Sequence, residues 1–234
     1  MVSPLIVLFD IDGTLIDCGG AGRRALDRAF ERHFGVTNAC RAIRFGGMTD
    51  HAILREAFAP LGGEYTRSLA DEVLETYLVE LERELSAGGF RVLPHAHAIV
   101  RRTGALGHAC GVGTGNVRGG AEAKLRRAEL GDAFAFGGFG CDAEARADVL
   151  AAAVIRARAE PRYADAPVLV IGDTPKDVAA AHAIGARCVG VTTGSFDVDA
   201  LLAAGADWVA PSLADPLVEG LLENQHLPSD GATR

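Results

Sequence analysis

The sequence is poor in basic residues relative to acidic ones, and it lacks long hydrophobic runs. Its 23 lysines and arginines are outnumbered by 31 aspartates and glutamates, which gives a net charge of −8. That sign opposes binding to a nucleic-acid backbone, so we expect no nucleic-acid partner. The longest apolar runs, such as residues 5–9 and 149–155, are far shorter than the roughly 18 residues of a membrane span. We therefore expect no membrane partner.

Targeting and disulfide signals are also missing. The first strand-like run is not preceded by a basic segment, an apolar segment and a small-residue cleavage site, so we expect no secretory signal. The five cysteines contain no Cys-x-x-Cys pair, and their odd number does not suit a disulfide framework. These absences predict a cytoplasmic protein with reduced thiols. The oligomeric state is not predictable from the sequence.

Short apolar runs alternate with longer stretches of helical period along much of the chain. This alternation is typical of βα units around a parallel sheet. Runs that are apolar along their whole length are typical of strands covered by helices on both faces. We therefore predict an α/β fold with an open parallel sheet. Its predicted strands are residues 5–9, 109–113, 134–137, 168–171, 187–191 and 208–209.

The segment from residue 18 to about residue 91 interrupts this alternation and contains no convincing strand. Residues 21–34 and 49–58 have the apolar pattern of helices. Leucines at positions 74, 78, 81 and 85 form a stripe along one face of a further amphipathic helix. This segment is therefore predicted to be a helical insertion in the α/β fold. The acidic residues between its leucines include Glu75, Glu82 and Glu84.

Two glycine pairs, Gly19-Gly20 and Gly88-Gly89, lie where the insertion would need hinges. At 234 residues, the chain is long enough for a large core and a smaller second domain. The last residues lose their apolar period and predict a frayed tail. The predicted organisation is a core domain of residues 1–17 and 92–234, with a tail from about 224, and an inserted helical domain of residues 18–91.

Polar residues follow three of the predicted strands at their carboxyl ends. Ligands of open α/β sheets bind beyond these ends, so the residues there are candidate site residues. Carboxylates close together raise one another's pKa unless a cation neutralises them, and oxygen ligands suit Mg²⁺. Glycines, a hydroxyl group and helix N-termini suit a phosphate group. The candidate residues are Asp10, Asp12, Gly13 and Thr14 after the first strand, Thr114, Gly115 and Asn116 after the second, and Asp173 and Asp177 after the fourth.

These motifs resemble those of the haloacid dehalogenase-like phosphohydrolases, in the branch similar to phosphoglycolate phosphatase. The stretch from Asp10 to Leu15, which reads DIDGTL, is similar to the first motif of that family. Thr114 is similar to the second motif, and the stretch GDTPKD at residues 172–177 is similar to the fourth. The resemblance covers about residues 4–191 in the family's order. It implies a Rossmann-like core with an all-helical cap inserted after the first motif.

The resemblance also implies a role for each acid. Asp10 resembles the nucleophile that forms an aspartyl-phosphate, and Asp12 resembles the general acid that later acts as the base. It implies a magnesium ion held by the side chains of Asp10 and Asp173 and by the backbone carbonyl of Asp12. Asp177 is then expected outside the ligand set, where it would orient waters or a basic residue.

The phosphoryl oxygens are expected to bind Thr114 and its neighbours. The family's third motif supplies a lysine, and the corresponding segment of this chain contains Arg146 instead. Arg146 resembles a subgroup with an arginine there, while Lys124 is the alternative cation, and we favour Arg146. The residues predicted to contact the phosphoryl group are Gly13, Thr14, Thr114, Gly115 and Asn116.

The function that the resemblance implies is Mg²⁺-dependent hydrolysis of a small phosphorylated metabolite, either phosphoglycolate-like or a sugar phosphate. One alternative is a phosphomutase of the same family, since residues 45–50 are similar to the cap of those enzymes. Asp50 opposes it, because phosphomutases carry a basic residue there for a second phosphate. A second alternative is a phosphoacceptor signalling module of the receiver type. Receivers lack a long insertion, and their acceptor follows a later strand.

Overall fold

Parallel strands form the main sheet of the computed structural model, which describes residues 3–62 and 65–224. Its six strands lie in the order β5-β4-β1-β6-β7-β8, and β2 and β3 form a separate antiparallel pair. The predicted α/β fold class is confirmed. The strands are β1 (Ile6–Phe9), β2 (Ile16–Asp17), β3 (Arg91–Val92), β4 (Ala109–Gly113), β5 (Phe136–Gly138), β6 (Val168–Gly172), β7 (Arg187–Val191) and β8 (Trp208–Ala210).

The central strand β1 pairs with β4 on one side and β6 on the other. Ile6 lies opposite Ala109 and Val168, and Phe9 lies opposite Val112 and Ile171. Because all three strands are parallel and in this register, their carboxyl ends meet at one edge of the sheet. The three polar segments singled out in the sequence therefore lie side by side.

The strand predicted at 134–137 is the one whose position differs most, since β5 begins at Phe136. Phe134 lies before the strand and ends a short 3₁₀ turn. Its ring packs against Phe9, with 6.2 Å between the ring centroids. The apolar side chain of Phe134 therefore covers the sheet. In the sequence, an apolar residue in that position cannot be distinguished from a residue of the strand itself.

Helices cover both faces of the sheet, as the uniformly apolar strands predict. Val7 and Phe9 pack toward α4, α5 and α9, whereas Ile6 and Leu8 pack toward α6, α7 and α8. This alternation follows from the two-residue period of a strand, which points successive side chains to opposite faces. The helices of this core are α4 (Ala96–Ala105), α5 (Arg118–Arg127), α6 (Arg146–Arg158), α7 (Pro175–Ala183), α8 (Val198–Ala203) and α9 (Pro216–Glu223).

The inserted segment contains the helices α1 (Ala21–Phe34), α2 (Asp50–Phe58) and α3 (Arg67–Ser86). The α1 helix has the predicted bounds. The second predicted helix starts one residue later than expected, because Thr49 is its N-cap and accepts a hydrogen bond from the Ala52 N–H at 3.2 Å. The α3 helix contains the leucine stripe.

The short strands β2 and β3 connect this segment to the core. They were not expected, because two-residue strands have no readable period. Gly19 and Gly89 lie just beyond them, both with positive φ, and a Cβ on Gly19 would lie 2.7 Å from the Gly89 carbonyl oxygen. The two connections therefore run side by side. The division into domains stays a prediction, and the predicted tail after Asn224 lies outside the described residues.

A helix that crosses a membrane needs about 20 predominantly apolar residues. Within residues 3–62 and 65–224, no helix is both long and apolar enough to do so.

Candidate active site

A cavity of about 450 Å³ lies between the carboxyl ends of the central strands and the inserted helices. Asp10 follows β1, Thr114 follows β4 and Asp173 follows β6, and all three line this cavity. Their convergence depends on the strand order, since β1 lies between the other two strands. Thr14 and Asp177 are not among the lining residues of the described chain.

Asp10 is buried and held at both its backbone and its side chain. Its N–H donates to the Ile171 carbonyl at 2.9 Å, and its Oδ1 lies 2.7 Å from Nη2 of Arg146. Burial raises the pKa of Asp10 to about 6, with Arg146 opposing that rise and Asp177 adding to it. The carboxyl group is thus buried beside its guanidinium partner.

Asp173 packs against two glycines. A Cβ on Gly13 would lie 2.4 Å from Oδ2 of Asp173, and a Cβ on Gly194 would lie 1.7 Å from the same atom. Gly13 also has a φ of +84°, which favours glycine. A larger residue at Gly13 or Gly194 would displace the carboxylate.

The carboxylates of Asp10, Asp173 and Asp177 offer oxygen atoms that all lie within 4.8 Å of one another. Oδ1 of Asp173 is buried and has no hydrogen-bond partner in residues 3–62 and 65–224. Burial and the charges of Asp10 and Asp177 raise the pKa of Asp173 to about 9. An unpartnered oxygen beside two further carboxylates fits a hard divalent cation such as Mg²⁺.

Asp177 is fully engaged by other protein groups. Its Oδ1 accepts from Arg146 at 2.6 Å, and its Oδ2 accepts from the Thr174 hydroxyl at 2.7 Å. It lies in the first turn of α7, where it and Thr174 form a capping box. Asp177 therefore fits the predicted position outside a ligand set, where it holds Arg146.

Asp12 also lines the cavity, and 41% of its side chain is exposed. Its Oδ2 accepts from Nζ of Lys124 at 2.6 Å and from Nδ2 of Asn116 at 2.8 Å. Partial burial acts to raise the pKa of Asp12, but Lys124 and Asn116 outweigh it and hold that pKa below its usual value. Lys124 and Asn116 therefore hold the Asp12 side chain in one position.

The segment after β4 is held by its own side chains. The Thr114 hydroxyl accepts from Nδ2 of Asn116 at 2.7 Å, and Oδ1 of Asn116 accepts from Lys124 at 2.6 Å. Gly115 allows the insertion to approach closely, since a Cβ there would lie 2.1 Å from the Met48 carbonyl oxygen. Among the residues predicted to bind phosphate, Asn116 thus orients Thr114 and Asp12.

Arg146 and Lys124 were alternatives for one role, and the structure places both in the site. Arg146, at the start of α6, contacts Asp10 and Asp177. Lys124, in the second turn of α5, contacts Asp12. Although burial opposes it, Asp12 raises the pKa of Lys124 well above its usual value. Each carboxylate of the first motif therefore has its own cation.

Several residues that line the cavity were not predicted from the sequence. Thr193 and Gly194 follow β7, and the strand-end rule applied to that strand would have identified them. Thr193 donates to the carbonyl of Gly13 at 2.5 Å. Arg23 and Tyr77 lie on helices of the insertion, and their position at the cavity depends on how those helices pack.

The parallel sheet with acids and cations at its carboxyl edge is the architecture of a Rossmann-like hydrolase core. The sequence model of the haloacid dehalogenase-like hydrolases matches residues 7–191. The chain belongs to this family, which confirms the resemblance inferred from its motifs and the prediction that it is an enzyme. None of the curated proteins compared with the chain matched it.

Solved structures share the fold at low sequence identity. A hydrolase from Pseudomonas syringae is 24% identical with a TM-score of 0.70, over 91% of this chain and 96% of that one. A protein from Haemophilus somnus 129pt, assigned as a phosphoglycolate phosphatase, is 18% identical with a TM-score of 0.68, over 93% and 98%. A protein from Bacteroides vulgatus, assigned as a beta-phosphoglucomutase, is 18% identical with a TM-score of 0.69, over 95% and 92%.

Proposed function

We propose that the protein is a Mg²⁺-dependent phosphatase that hydrolyses a small phosphorylated metabolite through an aspartyl-phosphate. The observation that carries this proposal is the pairing of Asp10 with Arg146 beside Oδ1 of Asp173, which has no hydrogen-bond partner among the described residues. The family membership supports hydrolysis, and the similar structures include one assigned as a phosphoglycolate phosphatase. The oxygen-rich donor set supports magnesium.

The nucleophile in this mechanism is the carboxylate of Asp10. Arg146 holds Oδ1, which leaves Oδ2 to attack phosphorus and form the acyl phosphate. Mg²⁺, held by the side chains of Asp10 and Asp173 and by the Asp12 carbonyl, would supply positive charge to the phosphoryl oxygens. Arg146 stabilises the same developing charge from the protein side, which is the main source of catalysis in phosphoryl transfer.

Proton transfer is assigned to Asp12. Lys124 and Asn116 both bind Oδ2, so Oδ1 is the atom that would take up a proton before the reaction and then give it to the leaving oxygen. The same atom then removes a proton from the water that attacks the acyl phosphate. Thr114, oriented by Asn116, donates its hydroxyl hydrogen to a phosphoryl oxygen, and Gly13 and Gly115 let the backbone approach.

Phosphate release from p-nitrophenyl phosphate tests the proposal. We expect turnover with Mg²⁺, loss of turnover after chelation with EDTA, and its return when Mg²⁺ is restored. Asp10→Asn should abolish turnover, because the amide cannot act as the nucleophile. The matched control is Asp165→Asn, which changes an exposed acid outside the cavity. Full activity in metal-free protein, or in Asp10→Asn, would contradict the proposal.

A phosphomutase is the second candidate, supported by the similarity to the protein assigned as a beta-phosphoglucomutase. Asp50 opposes it: the side chain lines the cavity and accepts from the Val117 N–H at 2.7 Å. An acid in this wall repels a second phosphate. Conversion of glucose 1-phosphate to glucose 6-phosphate without phosphate release would favour the mutase. The receiver-like alternative loses its support, since the chain belongs to a hydrolase family.

The cellular setting is also part of the proposal. All five cysteines are free, and four of them are buried. Free thiols suit the reducing cytoplasm, where phosphorylated metabolites would be the partners of the site. The net charge of −8 supports the absence of a nucleic-acid partner.

A further inference from the structure

Arg23, in the first turn of α1, differs from the other basic side chains that line the cavity. Lys124 is paired with Asp12, Arg146 with Asp10, and Arg91 with Asp17. Arg23 has no acidic group within ion-pair distance in the part of the chain that the structure describes. Within the described residues, its positive charge at the cavity wall is therefore not neutralised by an ion pair.

The Arg23 guanidinium is nevertheless held in place. Its Nη1 donates to the Cys40 carbonyl, and its Nη2 donates to the Ile43 carbonyl at 2.7 Å. Its central carbon lies 4.2 Å from the centroid of the Phe45 ring. These contacts fix the planar group, and none of them is with a negatively charged group. The other N–H groups of Arg23 have no partner among residues 3–62 and 65–224. A fixed guanidinium with free donors is well suited to bind an anion.

We propose that Arg23 binds a carboxylate on the leaving group, so that the substrate is the phosphate ester of a small carboxylic acid. This inference rests on the proposed phosphatase function and names its substrate class. A carboxylate fits better than a second phosphate, because Asp50 lines the same cavity and repels a dianion more than a monoanion. The cavity of about 450 Å³ is within the size range of small-molecule sites.

A pair of matched esters tests the proposal. 3-Phosphoglycerate carries a carboxylate where glycerol 3-phosphate carries a hydroxymethyl group. We expect the wild-type protein to prefer 3-phosphoglycerate in kcat/KM. Arg23→Gln should lower the ratio of the two kcat/KM values by about tenfold to a hundredfold, as expected for the loss of one charged hydrogen-bonding group. Arg23→Lys, which keeps the charge, should retain part of the preference.

The control variant separates substrate binding from support of the loop that Arg23 also holds. Oδ1 of Asp27 accepts from the Cys40 N–H at 2.8 Å, so Asp27→Ala loosens the same loop from outside the cavity. We expect Asp27→Ala to leave the ratio of the two kcat/KM values unchanged. If Arg23→Gln and Asp27→Ala each lower kcat/KM equally for the two substrates, Arg23 only supports the loop and the inference is wrong.

Further substrates distinguish a carboxylate site from a site for a second phosphate, and a failure of this inference from a failure of the proposed function. Fructose 1,6-bisphosphate and fructose 1-phosphate form a second pair of substrates. If Arg23→Gln changes the ratio of the two kcat/KM values for this pair alone, Arg23 binds a second phosphate and not a carboxylate. If the wild-type protein hydrolyses p-nitrophenyl phosphate but does not prefer 3-phosphoglycerate, this inference fails and the proposed function stands. If p-nitrophenyl phosphate is not hydrolysed either, the proposed function itself fails.

Discussion

The two aspartates of the first motif have the same chemical group and different surroundings. Asp10 is buried beside Arg146 and Asp177, whereas Asp12 is half-exposed and bonded to Lys124 and Asn116. These surroundings move the two pKa values apart: that of Asp10 is raised and that of Asp12 is lowered. Two like groups with different environments are expected to take different catalytic roles.

Asp12→Ala should separate the two halves of the reaction. The variant keeps the nucleophile but loses the group that activates water, so the acyl phosphate on Asp10 should accumulate with an aryl phosphate. Rapid quench and mass spectrometry should detect a mass gain of about 80 Da, the mass of one phosphoryl group, at Asp10. The double variant with Asp10→Asn should show no adduct. An Asp12→Ala protein that turns over at the wild-type rate would refute this division.

Substitutions of Arg146 and of Lys124 should likewise slow different steps of the reaction. Arg146→Ala removes the cation on Asp10 and should slow formation of the phosphoenzyme by roughly a hundredfold, about 3 kcal/mol of barrier. Lys124→Ala should slow turnover less and act mainly on hydrolysis of the acyl phosphate, because its partner is Asp12. Single-turnover kinetics separate the two steps. Because Arg146 is buried, Arg146→Lys and thermal melts check that the effect is not misfolding. The reverse ranking would transfer the role to Lys124.

At the level of elements, the helices α1 and α3 are joined by buried acids. Glu84, one of the acidic residues between the leucines of α3, is 6% exposed and accepts from Arg24 at 2.6 Å. It also binds Arg28 at 2.8 Å. The hydrogen bond from Arg24 keeps the pKa of Glu84 below its usual value. The amphipathic period identified the helix, but only the arginines of α1 explain why this acid lies inside.

The α2 helix contacts the core through two kinds of bond. Arg55 forms a double hydrogen bond with Glu144 on the surface, with both distances 2.7 Å. Asp50 makes a buried contact, since its N–H donates to the Gly115 carbonyl at 2.8 Å and its carboxylate accepts from Val117 at 2.7 Å. Solvent screens exposed ion pairs, which contribute little to stability, whereas hydrogen bonds to buried charged groups contribute about 1.5–3 kcal/mol. The buried contact should therefore hold the insertion closed.

Hydrogen exchange at the Val117 amide tests this difference. Asp50→Ala should speed exchange there by at least tenfold, because the amide loses its acceptor and the insertion opens more often. Arg55→Ala should change it by no more than a few-fold, and Asp50→Asn, whose carbonyl can still accept, should restore part of the protection. Equal effects of Asp50→Ala and Arg55→Ala would show that the surface pair holds the insertion.

At the scale of the whole molecule, His108 joins the residue just before β1 to the helix α9. It is 4% exposed. Its Nδ1 accepts from the Leu5 N–H at 3.1 Å, and its Nε2 is 2.8 Å from the Leu222 carbonyl. One ring nitrogen accepts and the other donates, so the bridge requires the neutral ring. Burial lowers the pKa of His108 below its usual value.

This bridge predicts a pH dependence of folding. The unfolded ring binds a proton near pH 6.5, and the folded ring binds it only at lower pH. Between these values the unfolded state binds more protons, so the contribution of His108 is complete above about pH 6.5 and declines below it. Urea unfolding at pH 8 and pH 5.5 should show a smaller loss of stability for His108→Gln than for wild type. His33→Gln, on the exposed side of α1, should behave as wild type, and an unchanged pH dependence in His108→Gln would contradict the prediction.

The sequence by itself determined the α/β class, the strands of the sheet, the helical insertion and the acids at the strand ends. These features depend on local period and on which residues follow a strand, and both can be read along the chain. The tertiary structure decided which carboxylate Arg146 and Lys124 each contact, and it placed Arg23 at the cavity. The contacts of Arg146 with Asp10 and of Lys124 with Asp12 join residues more than 100 positions apart, and they exist because β1 lies between β4 and β6. The position of Arg23 at the cavity depends on how the inserted helices pack over that edge.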